Sequence, residues 1–363
     1  MGGTHGQERP VRRTRRFGQR RSRAAAVLMA SVVVALVVAG CSSPPPKGSL
    51  PTGTPGADGP CGVHRQDLWN PLDGRHADVL FEPTGGGTPW TGGVCSDDSR
   101  PVVLIAHGYL GTAPEAYQGL VDHLVGAGFV VVFPGYPVEY DPQHQYRVVD
   151  SGFVLGVAAS GRVDTSRVGV VGHSFGGGMT PWLVEQAHAR GWGSDAVWAV
   201  LMAPHFALEV GTGAIELPQQ TRLAVVNYDE DVVVDARIGI DIYRSAALDP
   251  AQKLHVMVHT DRTVDPPLFA DHFGPLSFEL PIPLSNLSTD RADRWSAWRT
   301  VDSTAGCAID GRWCDTDLAD MGSWPDGRAV VRADVSTGAV QPVDVGPPAL
   351  QECEFPLNPR PCP

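Results

Sequence analysis

Lysine is almost missing from this chain: Lys47 and Lys253 are the only two in 363 residues. The remaining basic residues are arginines, and eight of them, with one glutamate, precede residue 24. Without that segment 20 basic residues face 39 acidic ones, a net of −19 against −12 for the whole chain. A surface that acidic repels phosphate backbones, so nucleic-acid partners are not expected. Internal repeats are absent, which removes solenoids and propellers. Gly (42) and Pro (32) make up about a fifth of the residues but follow no period, so the chain is loop-rich and not collagen-like. Cysteine is missing from residues 96–306, and neither C-x-x-C nor H-E-x-x-H occurs. The histidines have no ligand spacing, so neither a metal nor another cofactor is expected. What is present is a hydrophobic fraction of 42%, enough for a sizeable core. The length allows two domains, or one large α/β domain with a tail.

The N-terminus has the pattern of an address label. Eight arginines over residues 9–23 precede seventeen uncharged residues, 24–40, and then Cys41 and a Ser/Pro run. A basic segment, an apolar segment and a small-residue exit describe a secretory signal. Seventeen apolar residues also sit at the lower limit for spanning a bilayer, so length alone does not distinguish signal from anchor. Val38-Ala39-Gly40-Cys41 resembles the lipobox of bacterial lipoproteins. That resemblance implies cleavage before Cys41, acylation of its thiol, and anchoring to the extracytoplasmic face of the cell membrane. Arg15-Arg16 is followed at once by Phe17, which is not the spacing of a twin-arginine signal. The expected organisation is a signal peptide at 1–40, a Pro/Gly/Ser-rich linker at 41–60, a folded domain at 61–335 and a Pro-rich tail at 336–363 that either wraps the domain or hangs free.

With Cys41 assigned to lipid, six cysteines remain, an even number suited to up to three disulfides in an exported protein. Fifteen pairings are possible. Cys307 and Cys314, seven apart on an expected loop with Gly306 and Gly311, favour a local bridge; Cys61 with Cys95 is the next pair, which leaves Cys353 with Cys362.

Apolar runs at 78–82, 101–106, 129–133, 168–171, 196–202, 223–226 and 254–258 read as strands. Between them, 114–125, 146–159 and 175–189 have helical spacing, and 290–301 reads as an amphipathic closing helix. Alternation of short apolar runs with helices predicts an α/β domain with a mostly parallel sheet covered on both faces.

Gly172-His173-Ser174-Phe175-Gly176 is a G-x-S-x-G string between a strand, 168–171, and a helix. The string is weak evidence in so Gly-rich a chain, but the strand–turn–helix setting is what a nucleophile elbow requires. A Gly-rich phosphate turn is the bland alternative. It lacks the P-loop lysine and the G-x-G-x-x-G spacing.

At this point the chain resembles the α/β-hydrolases, especially the branch with bacterial cutinase-like esterases, chlorophyllases and platelet-activating-factor acetylhydrolases. The matching stretches are 101–109, 128–136, 163–168 and 172–177, in family order over about residues 75–280. The resemblance implies a Ser nucleophile at Ser174 and an oxyanion hole from the backbone amides of Tyr109 and Phe175. It also implies a triad in the chain order Ser, acid, His. His107 and His173 are read as structural. Asp229, Glu230 and Asp231 follow the 223–226 run, and family spacing selects Asp231, with Asp229 as the fallback; helix capping is the bland use of these acids. For the base, His255, His259 and His272 follow the acid. His255 lies in mid-strand and His259 near a strand end. His272 is on a loop and resembles the family's base, although the loop leading to it is longer than usual.

The expectation is therefore a lipid-anchored serine hydrolase that cleaves a small-molecule or lipid ester through an acyl-enzyme. A peptidase or amidase on the same fold, and a non-catalytic surface protein on a hydrolase scaffold, remain alternatives.

Overall fold

The computed structural model describes residue 2 and residues 48–74, 77–85, 95, 98–139, 141–278, 287–340 and 347–363. Cys41, the expected signal segment apart from residue 2, and the first part of the linker lie outside the described residues.

Among the described residues nine strands form one sheet: β1 (Gly62–Trp69), β2 (Ala77–Thr84), β3 (Arg100–Ala106), β4 (Val130–Phe133), β5 (Val163–His173), β6 (Ala196–Met202), β7 (Thr221–Tyr228), β8 (Lys253–Val258) and β9 (Asp334–Ser336). Their order is β1-β2-β4-β3-β5-β6-β7-β8-β9. The six from β4 to β8 run parallel, and β1, β2 and β9 add antiparallel edges. The expected α/β architecture with a mostly parallel sheet is present.

Strand side chains alternate between two cores, as the period of two requires. Val103, Ile105, Val131, Phe133 and Val171 enter one core. Val102, Leu104, Val130, Val132, Val168 and Val170 enter the other. Helix α1 (Gln118–Gly126) covers the first face, together with a π turn (Asp293–Trp298) and α5 (Arg299–Asp310). Helices α2 (Pro142–Ala159), α3 (Phe175–Ala189) and α4 (Ala236–Ser245) cover the second. With apolar contacts on both sides, a strand such as β4, VVVF, needs no polar face at all.

The sequence order reverses between β3 and β5, because β4 lies on one side of β3 and β5 on the other. In open parallel sheets the crevice outside the carboxyl ends at such a reversal is where ligands bind. Here it falls between the Gly108-Tyr109 loop after β3 and Ser174 after β5.

Several expectations shift. The closing helix begins near the expected residue 290, passes through the π turn, and runs past the expected end at 301 to Asp310, where Gly311 at φ 75° ends it. Cys307 is thus in the last turn of a helix, not in a loop. The segment expected as linker is already packed before residue 61: Pro55, Gly56 and Ala57 are buried, and the Gly56 N–H donates to Asp302 Oδ2 at 2.6 Å. The stretch after Asp231 is not helical: Val234 bridges to Gln351, and α4 begins at Ala236, capped by Asp235. The tail wraps the domain: Leu350 and Gln351 N–H donate to Val232 and Val233 O, and buried Arg360 pairs with Asp241.

Among the described residues there are three disulfides, Cys61–Cys95, Cys307–Cys314 and Cys353–Cys362. Disulfides form and persist in oxidising compartments, so they suggest an extracytoplasmic environment. No helix among the described residues is long and apolar enough to cross a membrane.

Candidate active site

Ser174 joins β5 to α3 at φ 54° and ψ −119°, a region that non-glycine residues seldom occupy. Such a conformation costs about 1–3 kcal/mol and persists only where its surroundings hold it. Here the Ser174 N–H donates to Met202 O at 3.0 Å, and Ser174 O accepts from the N–H groups of His205 (2.8 Å) and Gly178 (3.0 Å). The two glycines of the motif make the turn possible by close approach. A Cβ on Gly176 would stand 1.9 Å from Ala106 O, and one on Gly172 would stand 2.1 Å from Thr180 Oγ1.

The Ser174 Oγ lies 2.9 Å from His272 Nε2, and His272 Nδ1 lies 2.8 Å from Asp231 Oδ2. A carboxylate only accepts, so Nδ1 carries the proton and Nε2 presents a lone pair to the Ser174 hydroxyl. The other Asp231 oxygen accepts from the N–H groups of Val233 and Val234, both at 2.8 Å, which anchors the carboxylate. All three side chains are buried at 8% exposure or less. An imidazole held this way can take a proton from the hydroxyl and later return it.

The acid turn and the base loop are stitched together. Glu230 N–H donates to Ala270 O at 3.0 Å, and Ala270 N–H donates to Thr260 Oγ1 at 2.9 Å. The extra length before His272 is taken up by a fold-back in which Asp261 and Leu268 exchange both backbone hydrogen bonds. Asp261 Oδ2 also accepts from Trp324 Nε1 at 2.8 Å.

The fallback residues pair with each other, away from Ser174. His259 Nδ1 is 3.0 Å from Asp229 Oδ2, and its Nε2 is 3.0 Å from Asp334 Oδ2. The hydrogen bond to Asp229, reinforced by Asp334, raises the His259 pKa to about 9. With both ring nitrogens donating to carboxylates, it has no lone pair to offer a hydroxyl. His255 is buried in β8 beside Asn227 Nδ2 at 3.2 Å, and burial pushes its pKa down to about 4.

His107 stacks on Tyr136 with centroids 4.0 Å apart, a packing role that shapes the turn after β3. The Phe175 N–H is the first of α3 and so has no acceptor within the helix. Tyr109 follows Gly108 in the loop after β3, and its ring meets the Phe175 ring edge-on at 6.0 Å.

Two residues near Ser174 escape a reading of the sequence. Tyr117 has the spacing of a core residue on a helix face, yet its hydroxyl is bonded beneath the site. His205 carries no motif; it holds the Ser174 carbonyl through its backbone, and burial lowers its ring pKa to about 4. Among the described residues, no group of three or more His, Cys, Asp or Glu side chains is placed to hold a metal ion. No family model matches the chain, and no curated protein matches it.

Proposed function

We propose that this chain is an exported serine hydrolase of the α/β-hydrolase kind that cleaves carboxylic esters through an acyl-enzyme. The observation that carries the reading is the unbroken row Asp231–His272–Ser174, at 2.8 and 2.9 Å, with Ser174 on a strained strand-to-helix turn. The chain order Ser, Asp, His and the site's position at the reversal of strand order support the same fold assignment.

In this mechanism His272 Nε2 takes the Ser174 proton as Oγ attacks the ester carbonyl carbon. The carbonyl π electrons move to oxygen, and the oxyanion is met by the N–H groups of Phe175 and Tyr109. The first of these also lies at the positive end of the α3 dipole. Asp231 stabilises the imidazolium and holds its tautomer. His272 then gives the proton to the leaving alkoxide as the C–O bond breaks. Water, deprotonated by His272, repeats the sequence on the acyl-enzyme and frees the carboxylic acid. The chemistry asks for no cofactor. A small-molecule or lipid ester is the proposed substrate.

Export and anchoring belong to the same reading. The basic-then-apolar N-terminus and Val38-Ala39-Gly40-Cys41 support lipidation at Cys41, and the disulfides suit an extracytoplasmic site. Cys41→Ser is expected to leave the protein unprocessed or released from the membrane fraction.

The activity is tested with a fluorophosphonate probe and p-nitrophenyl esters from acetate to palmitate. Labelling that disappears in Ser174→Ala, with ester turnover lost in both Ser174→Ala and His272→Ala, is the expected result. Absence of labelling in the folded wild-type protein overturns the proposal and favours a non-catalytic scaffold.

A further inference from the structure

Beneath the triad runs a buried row of hydrogen bonds that proton transfer does not use. The Gly108 N–H donates to the Tyr117 hydroxyl at 2.8 Å. The Tyr117 oxygen lies 2.8 Å from His173 Nδ1, and His173 Nε2 lies 2.9 Å from the backbone oxygen of His272. Tyr117 and His173 are only 1% and 4% exposed, so water does not substitute for these bonds.

The direction of every bond follows from one fact. A carbonyl oxygen can only accept, so His173 Nε2 must carry its proton. A neutral ring then leaves Nδ1 bare, and the Tyr117 O–H donates to it. The Tyr117 oxygen is free to accept from Gly108. Burial, with the like-charged tendency of His272 nearby, drives the His173 pKa well below its usual value, which keeps the ring in this neutral form.

Residues 108 and 117 lie near the two ends of the connection between β3 and α1, residue 173 ends β5, and residue 272 is on the loop after β8. These three stretches are the pieces the proposed mechanism must hold in register: the loop carrying Tyr109, the elbow carrying Ser174, and the loop carrying His272. The approach is close, since a Cβ on Gly108 would stand 3.2 Å from His173 Nδ1 and 3.3 Å from Ser174 Cβ. A fully satisfied buried network of this kind specifies one arrangement, because any shift leaves a polar group unpaired.

We propose that Tyr117 and His173 are positioning residues that lock the oxyanion loop, the nucleophile and the general base to one another. The inference rests on the esterase reading of Ser174, His272 and Asp231. Neither residue touches substrate; each acts through the backbone it holds. Displacements of about 1 Å at reacting groups cost on the order of a hundredfold in rate. Removal of the row therefore lowers kcat and leaves KM nearly unchanged.

The experiment uses the full disulfide-bonded protein and reads fluorophosphonate labelling and p-nitrophenyl butyrate kinetics. The variants are Tyr117→Phe, His173→Gln and His173→Leu, with thermal melting as the check on folding. Tyr117→Phe keeps the ring and removes the relay; kcat should fall roughly a hundredfold with KM within about threefold. His173→Gln retains a donor and an acceptor and should keep kcat within about tenfold, whereas His173→Leu should fall as far as Tyr117→Phe. A folded Tyr117→Phe with kcat within twofold of wild type, or with a raised KM and unchanged kcat, overturns the inference. Equal activity of the Gln and Leu variants overturns it too, and that pair decides should Tyr117→Phe not fold. Wild-type protein is read first: if it neither labels nor hydrolyses esters, the esterase reading has failed, and the positioning role falls with it.

Discussion

Asp231→Asn separates the proposed acid from its neighbours. The wild-type carboxylate accepts three hydrogen bonds, one from His272 Nδ1 and two from Val233 and Val234 N–H. An amide has one accepting oxygen and one donating NH2. Turning the NH2 toward Val233 and Val234 would leave two backbone donors unsatisfied, at about 1–3 kcal/mol each. The amide oxygen therefore stays on those two N–H groups and the NH2 faces His272. Nδ1 must then accept, the ring proton moves to Nε2, and the Ser174 hydroxyl meets a donor in place of a base. A wrong tautomer in a serine triad lowers turnover by about 10⁴, which corresponds to about 5.5 kcal/mol in the barrier. Because the turn keeps its anchor, the melting temperature should move by only a few degrees. The assay is kcat on p-nitrophenyl butyrate with thermal melting in parallel. Asp229→Asn is the control: Asp229 serves His259 and the Thr260 N–H, so turnover should stay within about threefold. A folded Asp231→Asn within tenfold of wild type refutes this reasoning. An exchange of the two outcomes would move the acid to Asp229.

Gly176→Ala should destabilise the fold by roughly 3 kcal/mol or more, because the new Cβ meets the Ala106 carbonyl, which is backbone and cannot swing away; urea unfolding indistinguishable from wild type would contradict this. The His259 pKa is raised to about 9, so its contribution to stability is complete below the unfolded value of about 6.5 and is lost as pH rises through about 9. Amide exchange in β9, corrected for intrinsic rate, should therefore quicken between pH 8 and 10 in wild type and not in His259→Gln; parallel behaviour of the two proteins would refute the link. Replacing Cys353 and Cys362 by Ser opens a loop whose ends are nine residues apart, which should remove about 2–3 kcal/mol and expose the tail to proteolysis; an unchanged melting temperature would show that contacts such as Arg360–Asp241 hold the tail alone.

Elements whose information is local are legible along the chain. Strands β3, β4, β6 and β7 are apolar on both faces along most of their length, so a continuous run such as VVVF announces them, and β8 is read from Leu254, Val256, Met257 and Val258 although His255 interrupts it. Helix α3 follows its strand through a motif that needs Gly at two close approaches, and its span, Phe175–Ala189, is legible to the residue. Strand β1, GVHRQDLW, is not legible, because an exposed edge strand buries neither face and has no apolar period to read. Two of the cysteine pairs, separated by 7 and 9 residues, follow from proximity along the chain, and Cys61–Cys95, 34 apart, joins the two cysteines that remain. Chain order narrowed the acid and base to a few residues but could not choose among them by physics alone. Asp229 and Asp231 are two residues apart after one strand, and both face a histidine. Which pair reaches Ser174 depends on the fold-back at Asp261 and Leu268, fixed in part by Trp324, 63 residues further on. Tyr117 and His173 show the same limit: local spacing reports which side of an element is buried, and only the packed structure decides which buried hydroxyl or imidazole meets a partner from a distant segment.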